Sequence, residues 1–334
     1  MLRGLLGGLL GGLLVLAAAA LISGAALADP LPSWKGTEAK SDIIAFVSSV
    51  TDPASGDYVT TSDRIAVFDN DGTLWSEQPV YFQLLFAVDR LRDLAESDPS
   101  ILTTDALKAA AAGDLKTALA GGEEALLEIV AASHSGVTVD EFLATTRAWL
   151  DTARHPKTGL AYCDMVYQPM LELLRYLRDE GFSTYIVSGG GVHFMRAFAE
   201  DVYGIAPENV IGSVGKSTYQ IVDGVASIMK DPGIAFIDDK AGKPVAIDQK
   251  IGKRPIFVGG NSDGDFEMLE WSTASDGPRF GLIVHHTDAL REWAYDRESH
   301  IGRLDRGLDE AASRGWLLVD MAKDWATVYP GTAR

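Results

Sequence analysis

The chain has 334 residues, 47% hydrophobic and 23% charged, the balance of an ordinary globular protein long enough for one large domain with an insertion or for two domains. Asp and Glu outnumber Lys and Arg by 47 to 29, a formal charge of −18. That excess repels phosphate backbones and anionic lipid, so nucleic acid and membrane surfaces are excluded as general partners, and any phosphate must be held by local features.

Residues 1–28 read as a segment apart from the fold. Arg3 supplies a small positive start, a run rich in Leu, Gly and Ala follows, and Ala26-Leu27-Ala28 has the small-x-small form of a cleavage site just before Asp29-Pro30. The expectation is a cleavable signal peptide and a mature protein that is periplasmic or secreted, without stable membrane association. The same run is long enough to span a bilayer if it is retained. Cys163 is the only cysteine, so the core is expected to do without an internal disulfide.

An amphipathic helix is expected over residues 38–50, followed by a turn-rich stretch through Pro53, Gly56 and Asp57. Arg64-Ile65-Ala66-Val67-Phe68 is short and apolar and stops at Asp69-Asn70-Asp71-Gly72, which reads as a buried parallel strand ending in a loop. Residues 79–152 are helical in pattern, with breaks at Asp98-Pro99, Gly121-Gly122 and Ser135-Gly136. A helix over 169–180 ends at Gly181, and a strand over 183–187 runs into Ser188-Gly189-Gly190-Gly191. A hairpin over 217–230 turns at Asp223-Gly224. Strands follow at 255–258, 281–284 and 316–319, with a helix over 303–314 between the last two. This alternation predicts an α/β fold with a doubly wound parallel sheet, its core formed by 29–73 and 165–334, and a helical cap, 74–164, inserted after the first strand.

In an open parallel sheet, ligands gather beyond the carboxyl ends of the strands. Three such ends carry unusual sequence: Asp69-Asn70-Asp71-Gly72-Thr73, Ser188-Gly189-Gly190-Gly191 and Gly260-Asn261-Ser262-Asp263-Gly264-Asp265. Two carboxylates at i and i+2 can divide the labour of phosphoryl transfer. Asp69 at the strand end can attack phosphorus, while Asp71 protonates the leaving oxygen and later activates water. So acidic a cluster repels phosphate unless a hard cation sits among its oxygens, and Mg²⁺ suits carboxylate and amide ligands. Ser188 and the glycine run, Gly189 first, can hold phosphoryl oxygens at the start of the next helix, and a lysine is needed to balance developing charge.

Asp69-Asn70-Asp71-Gly72-Thr73-Leu74 resembles the first motif of the haloacid dehalogenase superfamily, D-x-D-G-T-L. Ser188 resembles the second motif, and the 260–265 segment resembles the fourth, G-D-x-x-x-D. The helical insertion is similar to the cap of the phosphoserine phosphatase-like branch. The resemblance implies a Rossmann-like core, Mg²⁺ and an aspartyl-phosphate intermediate. It makes Asp69 the nucleophile and Asp71 the acid/base, with its backbone carbonyl on the metal, and it adds Thr73 to the phosphate-binding set. Asn261 stands where the family's fourth motif begins with Asp, so the expected metal set is Asp69, Asp71 and the loop of Asn261, Asp263 and Asp265. Lys243, before Pro244 at a helix start, is the preferred third-motif lysine, with Lys250 and Lys253 as alternatives.

Within the superfamily, Asp71 sets this chain apart from dehalogenases, which have no leaving oxygen to protonate, and from the pumps, which carry Thr there and need a membrane domain. The expected activity is hydrolysis of a small phosphorylated metabolite, phosphoserine-like or of broad range, with a phosphomutase as the alternative that export disfavours. A non-enzymatic calcium-binding module is the other alternative, and it is disfavoured because the sixth and twelfth loop positions fall on Leu74 and Val80, or on Phe266 and Ser272, instead of Gly and Glu. Trp75, Glu77 and Gln78 follow the nucleophile loop and are candidates to face the substrate, Glu77 as the carboxylate that the branch uses for an amino group or else as a cap for its own helix. His193 is a candidate pocket residue, whereas His134, His155 and His300 are expected to be solvated.

Overall fold

The computed structural model describes residues 28–331, so all but the last residue of the expected signal peptide lie outside the described part. Among the described residues, no helix is long and apolar enough to cross a membrane. The first helix, α1 (Glu38–Thr51), buries Ile43, Val47 and Val50 in the same cluster that receives Ala66 and Phe68. The lead-in is therefore part of the core.

β1 (Ile65–Phe68) is buried at all four positions, as expected for a strand covered on both faces. It pairs in parallel with β2 (Ser183–Gly191) on one side and with β5 (Phe257–Gly260) on the other. The complete order is β4-β3-β2-β1-β5-β6-β7, with β3 spanning Val210–Val222, β4 Val225–Phe236, β6 Phe280–Thr287 and β7 Ala294–Tyr295, while β8 (Leu317–Asp320) pairs in parallel with β6. β1 to β3 step outward in one direction and β5 to β6 in the other, which creates a topological switch point between β1 and β5.

Between β1 and β2 lie α2 (Phe82–Ser97), α3 (Asp105–Ala111), α4 (Leu115–Ala118), α5 (Glu123–His134) and α6 (Val139–Thr152), interrupted where Pro99, Gly122 and Gly136 foretold. Thr138 and Glu141 close a capping box at the start of α6. Leu84, Val88, Leu91, Leu107 and Ile129 form a separate apolar cluster among these helices. α7 (Gln168–Asp179) leads into β2, and α8 (Val192–Arg196) and α9 (Ala199–Tyr203) follow it. α10 (Gly242–Ile251), α11 (Phe266–Thr273), α12 (Arg306–Arg314) and α13 (Met321–Asp324) complete the layers.

Two elements exceed their expected lengths. β2 continues through the glycine run, pairing Ser188 with Gly212 and Gly191 with Ser213 across a register shift. The hairpin spans all of β3 and β4, and its turn residues Asp223 and Gly224 both have positive φ, the geometry that suits a two-residue turn. Lys230 of β4 exchanges backbone hydrogen bonds with the segment before α6, donating to Val137 O and accepting from Gly136 N. The hairpin edge is thereby joined to the inserted helices.

Candidate active site

Register brings the site together. Phe68 lies level with Ile186 of β2 and with Gly259 of β5, so Asp69, Ser188 and Asn261 emerge at one edge of the sheet, at the switch point. They open onto a cavity of about 520 Å³ roofed by α5 and the base of the hairpin. Asp69, Asp71, Glu77, Ser188, Gly189, His193, Lys243 and Asp265 all line it.

Lys243, in the first turn of α10, is 2% exposed and placed between two carboxylates. Its Nζ donates to Asp69 Oδ1 and Asp265 Oδ1, each at 2.6 Å, and to Val187 O at 3.0 Å. The other candidate lysines are elsewhere: Lys250 is exposed, and Lys253 is paired with Asp63 on the surface. Asp265 is fully engaged, its Oδ2 accepting from the backbone N–H groups of Asn261 and Ser262. It therefore braces the 260–265 loop as well as the lysine.

Burial pushes the Asp69 carboxyl up to about 8, with Asp265 and Asp71 adding to the rise and Lys243 opposing it. Enclosure raises Asp71 as well, against the Trp75 indole, whose Nε1 donates to Asp71 Oδ1 at 2.8 Å. Trp75 is thus a positioning residue rather than a substrate contact: it is buried and stacks on Phe198. Trp75→Phe keeps the packing and removes the donor. A hydrogen bond to a charged group contributes about 1.5–3 kcal/mol, so kcat should fall roughly ten- to a hundred-fold with little change in KM. The Asp71 limb of the pH–rate profile should move to higher pH, because the lost donor was holding that pKa down.

Glu77 is not a helix cap, since α2 begins only at Phe82. It is 1% exposed, and its Oε1 accepts from Asn261 Nδ2 at 2.8 Å and Tyr295 OH at 2.7 Å, with burial raising its pKa. Gly72 makes this packing possible. Its φ is +74°, and a Cβ there would collide with both Asn261 and Glu77. Gly72→Ala should cost at least about 1–3 kcal/mol for the left-handed backbone alone, read as a lower urea midpoint together with weakened activity as Asn261 is displaced.

Several expected roles do not match the placement. Asp263 does not face the cavity; its carboxylate accepts from the backbone N–H groups of Asp305, Arg306 and Gly307 at the start of α12. The reason is local: residues 263–265 form a 3₁₀ turn that sends the two acidic side chains to opposite sides. The Thr73 hydroxyl is given to Asn261 Oδ1 at 3.1 Å, and Thr73 is not in the cavity wall. In the glycine run, Gly190 N–H is taken by Ser188 Oγ and Gly191 N–H by Gln83 Oε1. His134 and His155 are buried, contrary to the solvated expectation. His155 Nδ1 accepts from Thr158 N and its Nε2 donates to Gln78 O, while His134 is held down to about 3 by burial and is neutral. His300 alone of the three is exposed, at the cavity mouth.

Sequence reasoning passed over Gln83 and Lys230. Gln83 links Gly191 of β2 to His134 of α5 through its Nε2. His286 Nε2 donates to Gly72 O at 2.8 Å and so steadies the Asp69–Thr73 loop from β6. Neither Gln83 nor Lys230 has a local signature, because each acts through partners that are distant in the chain.

Among the described residues, no three His, Cys, Asp or Glu side chains are grouped so as to hold a metal by themselves. A hard cation fits a mixed set instead. Asp69 has one oxygen beyond the lysine contact, Asp71 stands beside it, and Asn261 Oδ1 keeps a lone pair after accepting from Thr73. Lys243 pairs with Asp69 and Asp265, while Asp71 and Glu77 line the same cavity with no ion pair among the described residues, a crowding of acidic groups that a divalent cation would offset.

The haloacid dehalogenase-like hydrolase model matches residues 66–270. Among solved structures, the chain is similar to a conserved protein of unknown function from Anaerococcus prevotii DSM 20548, with 17% identity over 78% of this chain and 89% of that one, at a TM-score of 0.52. It is also similar to a protein of unknown function from Bordetella pertussis Tohama I (20% identity, 77% and 98% covered, TM-score 0.45) and to a phosphoserine phosphohydrolase-like protein from Francisella tularensis subsp. tularensis SCHU S4 (20%, 75% and 98%, TM-score 0.39). Of the three, only the first is near enough in three dimensions to speak for a shared fold. No curated protein matches the chain. With a family model that covers β1, the glycine-rich end of β2 and the helix of Lys243, more than half of the chain, the chain belongs to the haloacid dehalogenase-like hydrolases.

Proposed function

We propose that this protein hydrolyses small phosphomonoesters in two in-line steps through phospho-Asp69, with Mg²⁺ as cofactor, after export. The observation that carries the reading is the pairing of Asp69, held by Lys243, with Asp71, held by Trp75, on the floor of one cavity. Lys243 occupies Oδ1 of Asp69 and leaves Oδ2 to attack phosphorus. The leaving oxygen takes the proton of Asp71, whose pKa burial raises above the usual carboxylate range. Asp71, now ionised, takes a proton from water as the water attacks phosphorus, and phosphate leaves Asp69 as a carboxylate. Ser188, 1% exposed and on the cavity wall, is positioned to hold the phosphoryl oxygens between the steps.

Asp69, Asp71 and Asn261 would hold the cation. When bound there it would supply charge neutralisation, keeping Asp69 ionised and letting an anionic ester approach an acidic floor. Release of phosphate from p-nitrophenyl phosphate by the mature protein tests the reading: EDTA should stop it and Mg²⁺ restore it. Failure to release phosphate at any metal concentration would overturn it.

A further inference from the structure

The cavity has one cation that the mechanism does not use. Lys230 lines the same cavity as the acidic residues, makes no ion pair with them, and is only 7% exposed. Its Nζ is 3.2 Å from His193 Nδ1 and 4.3 Å from the centre of the Phe142 ring. Among the described residues no carboxylate lies within ion-pair distance of it. Asp231, the next residue, also lines the cavity but makes no pair with it. Burial and the nearby Arg90 guanidinium lower its pKa to about 8, so it is still mostly charged at neutral pH. His193 is held down to about 4 by burial and is neutral, accepting from the ammonium rather than balancing it.

Buried charges are ordinarily paired, because an unpaired ion loses its hydration with no return. An ammonium kept in a cavity wall without an anion, held there by a strand that is hydrogen-bonded to residues 136 and 137, marks a place where an anion is to be supplied from outside. Resting on the phosphatase reading, we infer that Lys230 is a specificity-determining residue that binds a second anionic group on the leaving group, so that the preferred substrates are phosphomonoesters carrying a carboxylate or a second phosphate. The cavity is then polarised, with one anion of the substrate at the floor and the other at Lys230.

The test uses the full mature chain and three series of increasing length: alkyl phosphates, ω-carboxyalkyl phosphates and alkanediol bisphosphates. At the length that spans the cavity, a charged series should exceed the alkyl phosphate in kcat/KM by at least about tenfold, the scale of one good ionic contact. Which series wins tells a carboxylate partner from a phosphate. Lys230→Arg should keep the preference and Lys230→Met should lose it. Because the ammonium has no anionic partner among the described residues, Lys230→Met should match or exceed the native Tm, and a marked drop would assign the residue to structure and overturn the inference. Equal rates for charged and neutral series at every length would overturn it as well.

Affinities of the same ligands for Asp69→Asn separate this inference from the reading beneath it. Charge-dependent tightening that disappears in Asp69→Asn with Lys230→Met supports the subsite even if the native chain releases no phosphate. Absence of any tightening overturns the subsite even if phosphate is released.

Discussion

Asp69→Asn is expected to abolish turnover, with kcat down by a factor on the order of 10⁴ or more, and to leave the fold as stable as before or more so. The loss follows from the role of the side chain: an amide oxygen is a poor nucleophile, and the neighbouring carboxylates of Asp265 and Glu77 are committed to other partners. Asp265 is occupied by Lys243 and two backbone N–H groups, and Glu77 is locked by Tyr295 and Asn261. The retained stability follows from electrostatics. Burial already pushes Asp69 up to about 8, so its charge is a burden on the folded state that the neutral amide removes. Lys243 would keep its pair with Asp265 at 2.6 Å. Measured kcat beside the urea midpoint checks both halves. Turnover near the native rate would sink the mechanism, and a collapsed midpoint would show that the carboxylate was serving the fold.

Lys243→Met is expected to fail in the opposite way, losing stability as well as activity. Removing one partner of a buried ion pair costs about 3–5 kcal/mol, against a total stability of roughly 5–15 kcal/mol for a globular protein. Here a single ammonium faces Asp69 and Asp265 at once. The stability of the variant should depend on pH, measured with EDTA present. Without the lysine, the folded-state pKa of Asp69 rises further above its unfolded value of 3.8. The folded state then holds more protons than the unfolded state between the two values. Stability therefore falls as pH rises through that window and recovers on acidification toward pH 4. A urea midpoint for the variant that is flat from pH 5 to pH 9 would contradict this placement of charge.

These two residues also show what was legible before the structure. The strand ends were readable because a buried apolar run stopping at Asp or Gly has few other meanings, and the switch point then dictated that the three loops meet. Lys243 was favoured by its place at a helix start, and α10 indeed begins one residue earlier. Asp263 and Asp265 were not separable, since both sit in one acidic loop and only the 3₁₀ turn decides which carboxylate faces the lysine and which caps α12. Thr73 and Glu77 belong to the same class: their hydroxyl and carboxylate are committed to Asn261, a partner 188 and 184 residues away. Lys230 could not have been singled out, because alternation along a hairpin does not tell which part of it the inserted helices will cover. His134 was misread for a related reason, as a polar residue at a helix end that α2 and α6 happen to enclose, against Phe86 and Phe142.

The most direct test of the central claim is to quench the native protein in acid during turnover of a phosphomonoester in the presence of Mg²⁺ and to map the phosphoryl group by mass spectrometry. The account predicts an acid-stable, base-labile phosphoryl group on the peptide that contains Asp69, absent from Asp69→Asn and from samples quenched after EDTA. Phosphate released at full rate with no phosphopeptide at any quench time, or with the phosphoryl group on another residue, would contradict it.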